Sequence, residues 1–223
     1  MKTIAVAAPK GGSGKTTITL LLAVQAYRLG QGVAIFDMNA EQGNIGQWQV
    51  SREGHPGPDI VEVEHLARDV KVLAHAGYDW LLIDTPPGLD AEAIVEASVA
   101  ISDAVVVPVR PSILDIGTMD AIVGICQQYR KPFAFVLCDV TAQWKSLNTT
   151  AAAALAQMGP VLSARVSHKL AYVNALTKGR TGPEVDSDLG AEAATLWTEV
   201  QELAGVTGIQ QLASLAKKGR RNG

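Results

Sequence analysis

The segment "KTIAVAAPKGGSGKTT" at residues 2–17 joins a short apolar run to a glycine-rich loop ending in Gly14-Lys15-Thr16. Residues 2–8 read as a buried strand. Residues 16–29 read as a helix with Leu20, Leu21, Val24 and Tyr27 along one side. A strand so continuously apolar is covered on both faces, as parallel strands are. Four more runs repeat the pattern: "GVAIFD" (32–37), "DWLLID" (79–84), "AVVVPV" (104–109) and "FAFVLCD" (133–139). Helical patterns fall near 65–76, 90–100, 113–129 and 147–157, and the chain reads as mostly helical from about 168, with a turn at 178–183. Alternating strands and helices predict an α/β fold, a doubly wound and mostly parallel sheet with helices on both faces. One domain is expected over 1–207, with a basic helix or tail over 208–223.

The loop itself carries chemistry. The ordinary phosphate-loop pattern G-x-x-x-x-G-K-[ST], read back from Gly14-Lys15-Thr16, places its first glycine at position 9. Pro9 stands there instead, and an additional lysine, Lys10, precedes Gly11. Gly11, Gly12 and Gly14, with Ser13 between them, let backbone N–H groups approach phosphate oxygens. The helix start at Lys15, Thr16 and Thr17 adds a positive dipole end. Lys15 is placed to bind β- and γ-phosphates, and the Thr16 hydroxyl to ligate Mg²⁺. Asp84, at the end of "WLLI", is placed to hold the Mg²⁺ shell. Asp37, after "VAIF", ends a strand near the same phosphates.

Composition narrows the remaining classes. Of 223 residues, 48% are apolar and 18% charged, as in an ordinary globular chain. The apolar runs are too short to span a bilayer, and no signal peptide is expected. Cys126 and Cys138 form no metal-ligand spacing and read as buried thiols in a reducing cytoplasm. The net charge is −3, yet its distribution is uneven: residues 41–103 hold twelve acids and three bases, and residues 104–183 three acids and eight bases. A mildly acidic chain of this kind still offers a basic face to a polyanion.

With these residues quoted, "KGGSGKTT" resembles the deviant Walker A box of the ParA/MinD family of ATPases. The similarity runs through Asp37, "LLIDTPPG" and "VVPVRPSILD" in that order, and is strongest to small ParA partition proteins, including the ParF type. The resemblance implies ATP and Mg²⁺ as ligands and an ATP-dependent sandwich homodimer. In it Lys10 reaches the partner's phosphates while Lys15 serves its own. It implies that Asp37 orients the attacking water and that Pro111, in "RPS", helps cradle base and ribose. Lys10, Lys15 and Asp37 are thus the expected catalytic residues. The box after strand two departs from the family's acid-x-acid-Pro-Gln: it reads Asp37-Met38-Asn39-Ala40-Glu41-Gln42, which puts its loop geometry and hydrolysis rate in question.

Three outputs compete. A partition-type ATPase binds DNA non-specifically. Here "ARVSHKLAYVNALTKGR" (164–180) concentrates Arg165, His168, Lys169, Lys178 and Arg180 with no acid. Arg165, Lys169, Lys178 and Arg180 are the expected DNA contacts, with Lys145, Lys217, Lys218, Arg220 and Arg221 extending the patch; a solvated helix face is the plainer reading. A MinD-like membrane-associated positioning ATPase is the alternative, but Ile209, Leu212 and Leu215 make only a slight apolar face. A metabolic enzyme would need an acceptor pocket that the sequence does not announce. The expected protein is cytoplasmic and nucleoid-associated, without membrane binding, and works with a ParB-like or other cargo-adaptor partner that stimulates hydrolysis.

Overall fold

The computed structural model describes residues 1–39, 43–88 and 91–206. Its first unit is β1 (Lys2–Val6), the glycine loop and α1 (Lys15–Arg28), followed by β2 (Val33–Asp37). Then come α2 (Asn44–Ser51), β3 (Asp59–Val61), α3 (Leu66–Ala76), β4 (Trp80–Asp84), α4 (Glu92–Ile101) and β5 (Ala104–Val109). Two short helices, α5 (Ile113–Ile116) and α6 (Asp120–Gln128), lead to β6 (Phe133–Val140), α7 (Lys145–Ala156) and β7 (Val161–Ser167). The described chain closes with α8 (Leu170–Thr177), α9 (Gly182–Val185) and α10 (Ser187–Leu203).

The described strands form one seven-stranded sheet in the order β3-β2-β4-β1-β5-β6-β7, and every pair is parallel. Alternate residues of each strand feed opposite cores, as the period of two requires. Ile4, Val6, Val33, Ile35 and Val106 face α1 and α10 in one cluster. Ala5, Ala7, Val105 and Val107 face Val95 and Val99 of α4 and Ile122 of α6 in another. Helix α10 starts at Asp186, whose carboxylate accepts from the Asp188 and Leu189 N–H groups. It buries Leu189, Ala193, Leu196, Trp197 and Val200 at helical spacing. Trp197 meets Trp80 edge-on with ring centroids 4.6 Å apart. No helix among the described residues is long and apolar enough to cross a membrane.

Three features differ from the sequence reading. The helix expected over 113–129 is broken at Gly117-Thr118, where the Thr118 hydroxyl bonds back to the Asp115 carbonyl at 2.8 Å and competes with helix continuation. Residues 161–167, left unassigned, form edge strand β7, whose register against β6 shifts twice. Half-exposed edge strands mix polar and apolar residues, so "VLSARVS" lacks the continuous apolar signature of the inner strands. The segments α2 and β3 also went unread; β3 is three residues long with none fully buried.

A buried clasp ties α2 to the turn before α9. Arg52 lies over the Trp48 ring at 4.6 Å and donates to the Gly179 carbonyl at 2.8 Å. It also pairs with Glu184 at 2.9 Å, both side chains being almost fully buried. Gly179, at φ +62°, lies so close that a Cβ there would sit 2.2 Å from the Arg52 nitrogen.

Strand β1 lies between β4 and β5. The chain leaves it first toward β2 and later returns on its other side through β5. The C-terminal end of β1 is therefore the topological switch point, where open α/β sheets bind ligands.

Candidate nucleotide site

The glycine loop occupies that switch point. Gly12 (φ +70°) and Gly14 (φ +100°) adopt left-handed conformations that side-chain-bearing residues disfavour. Helix α1 begins at Gly14 with no side-chain cap and no acid in its first turn. Its leading N–H groups are left to an anion. Loop Gly88 donates its N–H to the Pro9 carbonyl at 3.0 Å, so the "TPPG" turn after β4 braces the loop.

Lys15 is buried, and its ammonium bonds the Ala8 and Lys10 carbonyls at 3.2 and 2.9 Å. Burial pulls this ammonium below the usual lysine range, against the opposing charge of Asp84. The Thr16 hydroxyl donates to Asp84 at 2.7 Å, and Thr19 approaches the other carboxylate oxygen at 3.4 Å. Burial drives the Asp84 carboxyl up to about 7; the Thr16 hydrogen bond opposes the rise and the Asp37 charge adds to it. Asp37 is also raised by burial, opposed by a hydrogen bond from the Asn39 N–H. The sequence-predicted Lys15, Thr16, Asp84 and Asp37 thus converge on one end of the sheet.

Two spaces that share Gly12, Gly14 and Thr17 in their linings flank the loop. One, of about 250 Å³, is lined by Gly11, Gly12, Gly14, Lys15, Thr16, Thr17, Asn39, Asn44 and Pro87. The other, of about 340 Å³, lies beside Gly12, Ser13, Gly14 and Thr17, between Arg110, Cys138, Asp139 and the residues after β7. Asn39 and Asn44 were not singled out by the sequence, and neither was Arg110. Pro111 is buried and lines neither space; its neighbour Arg110 does.

Lys10 makes its side-chain contacts with the segment after β5. Its ammonium bonds the Leu114 carbonyl at 2.8 Å and the Asp115 carboxylate at 3.1 Å. The basic segment 164–180 is split among elements. Arg165 lies on β7 with its guanidinium against the Leu162, Ser163 and Ala164 carbonyls. Lys169 pairs with Glu192 at 3.5 Å, and Arg180 with Glu184 at 3.7 Å and with the His55 ring. Lys178 is exposed at the end of α8. Glu41, the tail bases Lys217, Lys218, Arg220 and Arg221, and the apolar Ile209, Leu212 and Leu215 lie outside the described residues.

The residues fit a magnesium nucleotide. Ser13 Oγ, inside the loop, is buried with no hydrogen-bond partner. At Gly11 a Cβ would meet nothing within 4 Å, so the loop faces open space. No group of three or more His, Cys, Asp or Glu side chains that could hold a metal occurs among the described residues. An ion at Thr16 and Asp84 therefore needs phosphate oxygens and water to complete its shell, as Mg²⁺ at a phosphate loop does.

Residues 4–218 match the family described as the CobQ/CobB/MinD/ParA nucleotide binding domain. The chain is 28% identical over 190 residues to maintenance of carboxysome distribution protein A of Halothiobacillus neapolitanus, covering 79% of this chain and 84% of that protein. Its fold superposes on the septum site-determining protein MinD of Pyrococcus horikoshii, complexed with Mg-ADP, with a TM-score of 0.66 at 19% identity, over 92% of this chain and 98% of that one. A Cyanothece McdA–ATP complex aligns with a TM-score of 0.64 at 16% identity, over 93% and 97%.

Proposed function

This chain belongs to the CobQ/CobB/MinD/ParA nucleotide-binding family, and on that premise we propose that it is a Mg²⁺-dependent ATPase of the ParA type that positions a cargo. The observation that carries the reading is the placement of Lys15, Thr16 and Asp84 around an uncapped helix start, with Lys10 on the outer side of the same loop. Lys15 neutralises β- and γ-phosphate charge, and Thr16 with Asp84 fixes the Mg²⁺. Asp37, beside Asp84, orients water. Bound ATP supplies the phosphoryl group whose hydrolysis resets the cycle.

Two ATP-bound copies close face to face, each Lys10 leaving Leu114 and Asp115 for the partner's phosphates. The closed homodimer binds DNA without reading sequence and rests on the nucleoid. A ParB-like or other cargo adaptor stimulates hydrolysis and releases it. The similarity to a carboxysome distribution protein supports a positioning role. Lys178, exposed beside the turn that carries Arg180, is the leading DNA contact; Lys169 and Arg180 must loosen their ion pairs to join it, and Arg165 is least accessible.

The test is duplex DNA of random sequence, titrated with and without ATP and Mg²⁺ over a salt series. About four phosphate contacts per dimer predict a log–log salt slope of about −3 to −4. Lys178→Glu with Arg180→Glu should flatten that slope on every sequence and leave ATP affinity unchanged. Sedimentation of the ATP-bound protein with anionic liposomes, and no DNA binding, would replace this reading with the MinD-like one.

A further inference from the structure

Asp115 is a buried carboxylate, its side chain 4% exposed, that holds two cations at once. It takes Arg110 through Nε at 2.7 Å and Nη2 at 3.3 Å, and Lys10 at 3.1 Å. A fork gripped through two nitrogens is fixed in plane and direction. The third nitrogen, Nη1, points at the glycine loop: it lies 3.9 Å from where a Cβ on Gly12 would stand. Arg110 also lines the 340 Å³ space together with Gly12, Ser13, Gly14 and Thr17. It therefore lines that space at its border with Gly12, a residue that also lines the smaller space.

We propose that Arg110 is a nucleotide-contacting residue, oriented by Asp115, that binds the phosphate nearest the nucleoside. The inference rests on the nucleotide reading above and adds a residue to it. A nucleotide with its β- and γ-phosphates at Lys15 and its nucleoside in the larger space must thread its first phosphate past Gly12. The guanidinium there is already aligned, so little side-chain freedom is lost on binding. The family resemblance points to Pro111, which lines neither space, whereas the side chain before it, Arg110, lines the larger one. Asp115 acts through Arg110 and is a positioning residue.

The experiment is calorimetric titration of the whole chain with Mg-ADP and Mg-ATP, wild type against Arg110→Ala, Arg110→Lys and Asp115→Asn, with thermal melts of each. Loss of one charge-assisted contact predicts roughly 10- to 100-fold weaker binding of Arg110→Ala to both nucleotides by the same factor. Arg110→Lys keeps the charge without the fork and should recover only part of the loss. Asp115→Asn, retaining Arg110 but freeing its orientation, should fall between wild type and Arg110→Ala. Equal affinities in Arg110→Ala and wild type would overturn the assignment. A loss confined to ATP would also overturn it, by moving the contact to the terminal phosphate. A wild-type protein that binds neither nucleotide would instead defeat the nucleotide reading as a whole.

Discussion

Thr16 Oγ1 donates to Asp84 Oδ2 at 2.7 Å, joining the first turn of α1 to the end of β4 across 68 residues of sequence. The same hydroxyl and carboxylate are the groups a magnesium ion would take. In the free protein they hold each other, and the Asp84 proton equilibrium is part of that arrangement.

Burial chiefly pushes that carboxyl from the usual aspartate value of 3.8 up to about 7. An acid whose native pKa lies above its unfolded one keeps a proton that the unfolded chain has released. Stability of the nucleotide-free protein should thus fall as pH rises from about 4 to about 7 and level off above. Asp84→Asn should flatten this component in thermal melts across pH. Nucleotide binding with Mg²⁺ should release more protons from this group at pH 6 than at pH 8, measured by calorimetry in buffers of different ionisation enthalpy. A pH-independent wild-type melting curve over that window would contradict the assignment.

Lys15→Ala should weaken ATP binding roughly 10- to 100-fold or more, the cost of one charge-assisted contact to phosphate. Because Lys15 also bridges the Ala8 and Lys10 carbonyls, a melt must accompany the titration. Unchanged ATP affinity in a folded variant would remove the loop from the site.

Lys10→Ala should behave differently: ATP affinity within about threefold of wild type, but no ATP-dependent dimer by light scattering. Its ammonium is bonded to Leu114 and Asp115 within the protomer and shares no partner with the Lys15 ammonium or the Thr16 hydroxyl. A stable ATP-bound dimer of this variant would reduce Lys10 to a flank of the loop.

Asp37→Ala should bind ATP and dimerise, while turnover drops roughly 100-fold or more, as loss of a water-orienting group does. The closed form would accumulate on a sizing column. Wild-type turnover would shift that role to another side chain.

Gly179→Ala should destabilise the fold by about 3 kcal/mol, lowering Tm by roughly 6–12 °C. A methyl there meets the Arg52 backbone, and the φ of +62° adds strain. Little change in Tm would mean that the clasp between α2 and the turn before α9 yields easily.

The parts legible in the sequence are those encoded locally. The inner strands are apolar on both faces, so β1, β2, β4, β5 and β6 announce themselves, and the glycine loop is a contiguous word. Lys15 and Thr16 needed no fold to be placed, and Asp84 needed only the end of its strand. Arg110 was illegible because its meaning depends on β5 lying beside β1, a pairing between residues 104–106 and 4–6. Asn39 and Asn44 acquire theirs only by lining the space beside the loop. The basic segment is only partly legible for a related reason. Read as a line, it is a run of cations, but in space β7, α8 and the following turn send Arg165, Lys169 and Arg180 to separate partners.

The central place of β1 has a consequence for synthesis. Its two neighbours are β4 and β5, at residues 80–84 and 104–106, so β1 leaves the ribosome well before either partner exists. The glycine loop emerges ahead of about 90 residues that must follow before β5 exists, roughly 4–20 s of translation. Until β4 follows, β1 has both strand edges unpaired, and until β5 follows one of them stays open, the kind of apolar segment that chaperones recognise and that aggregates when left alone. The glycine loop is made before the strands that hold it and cannot work before them.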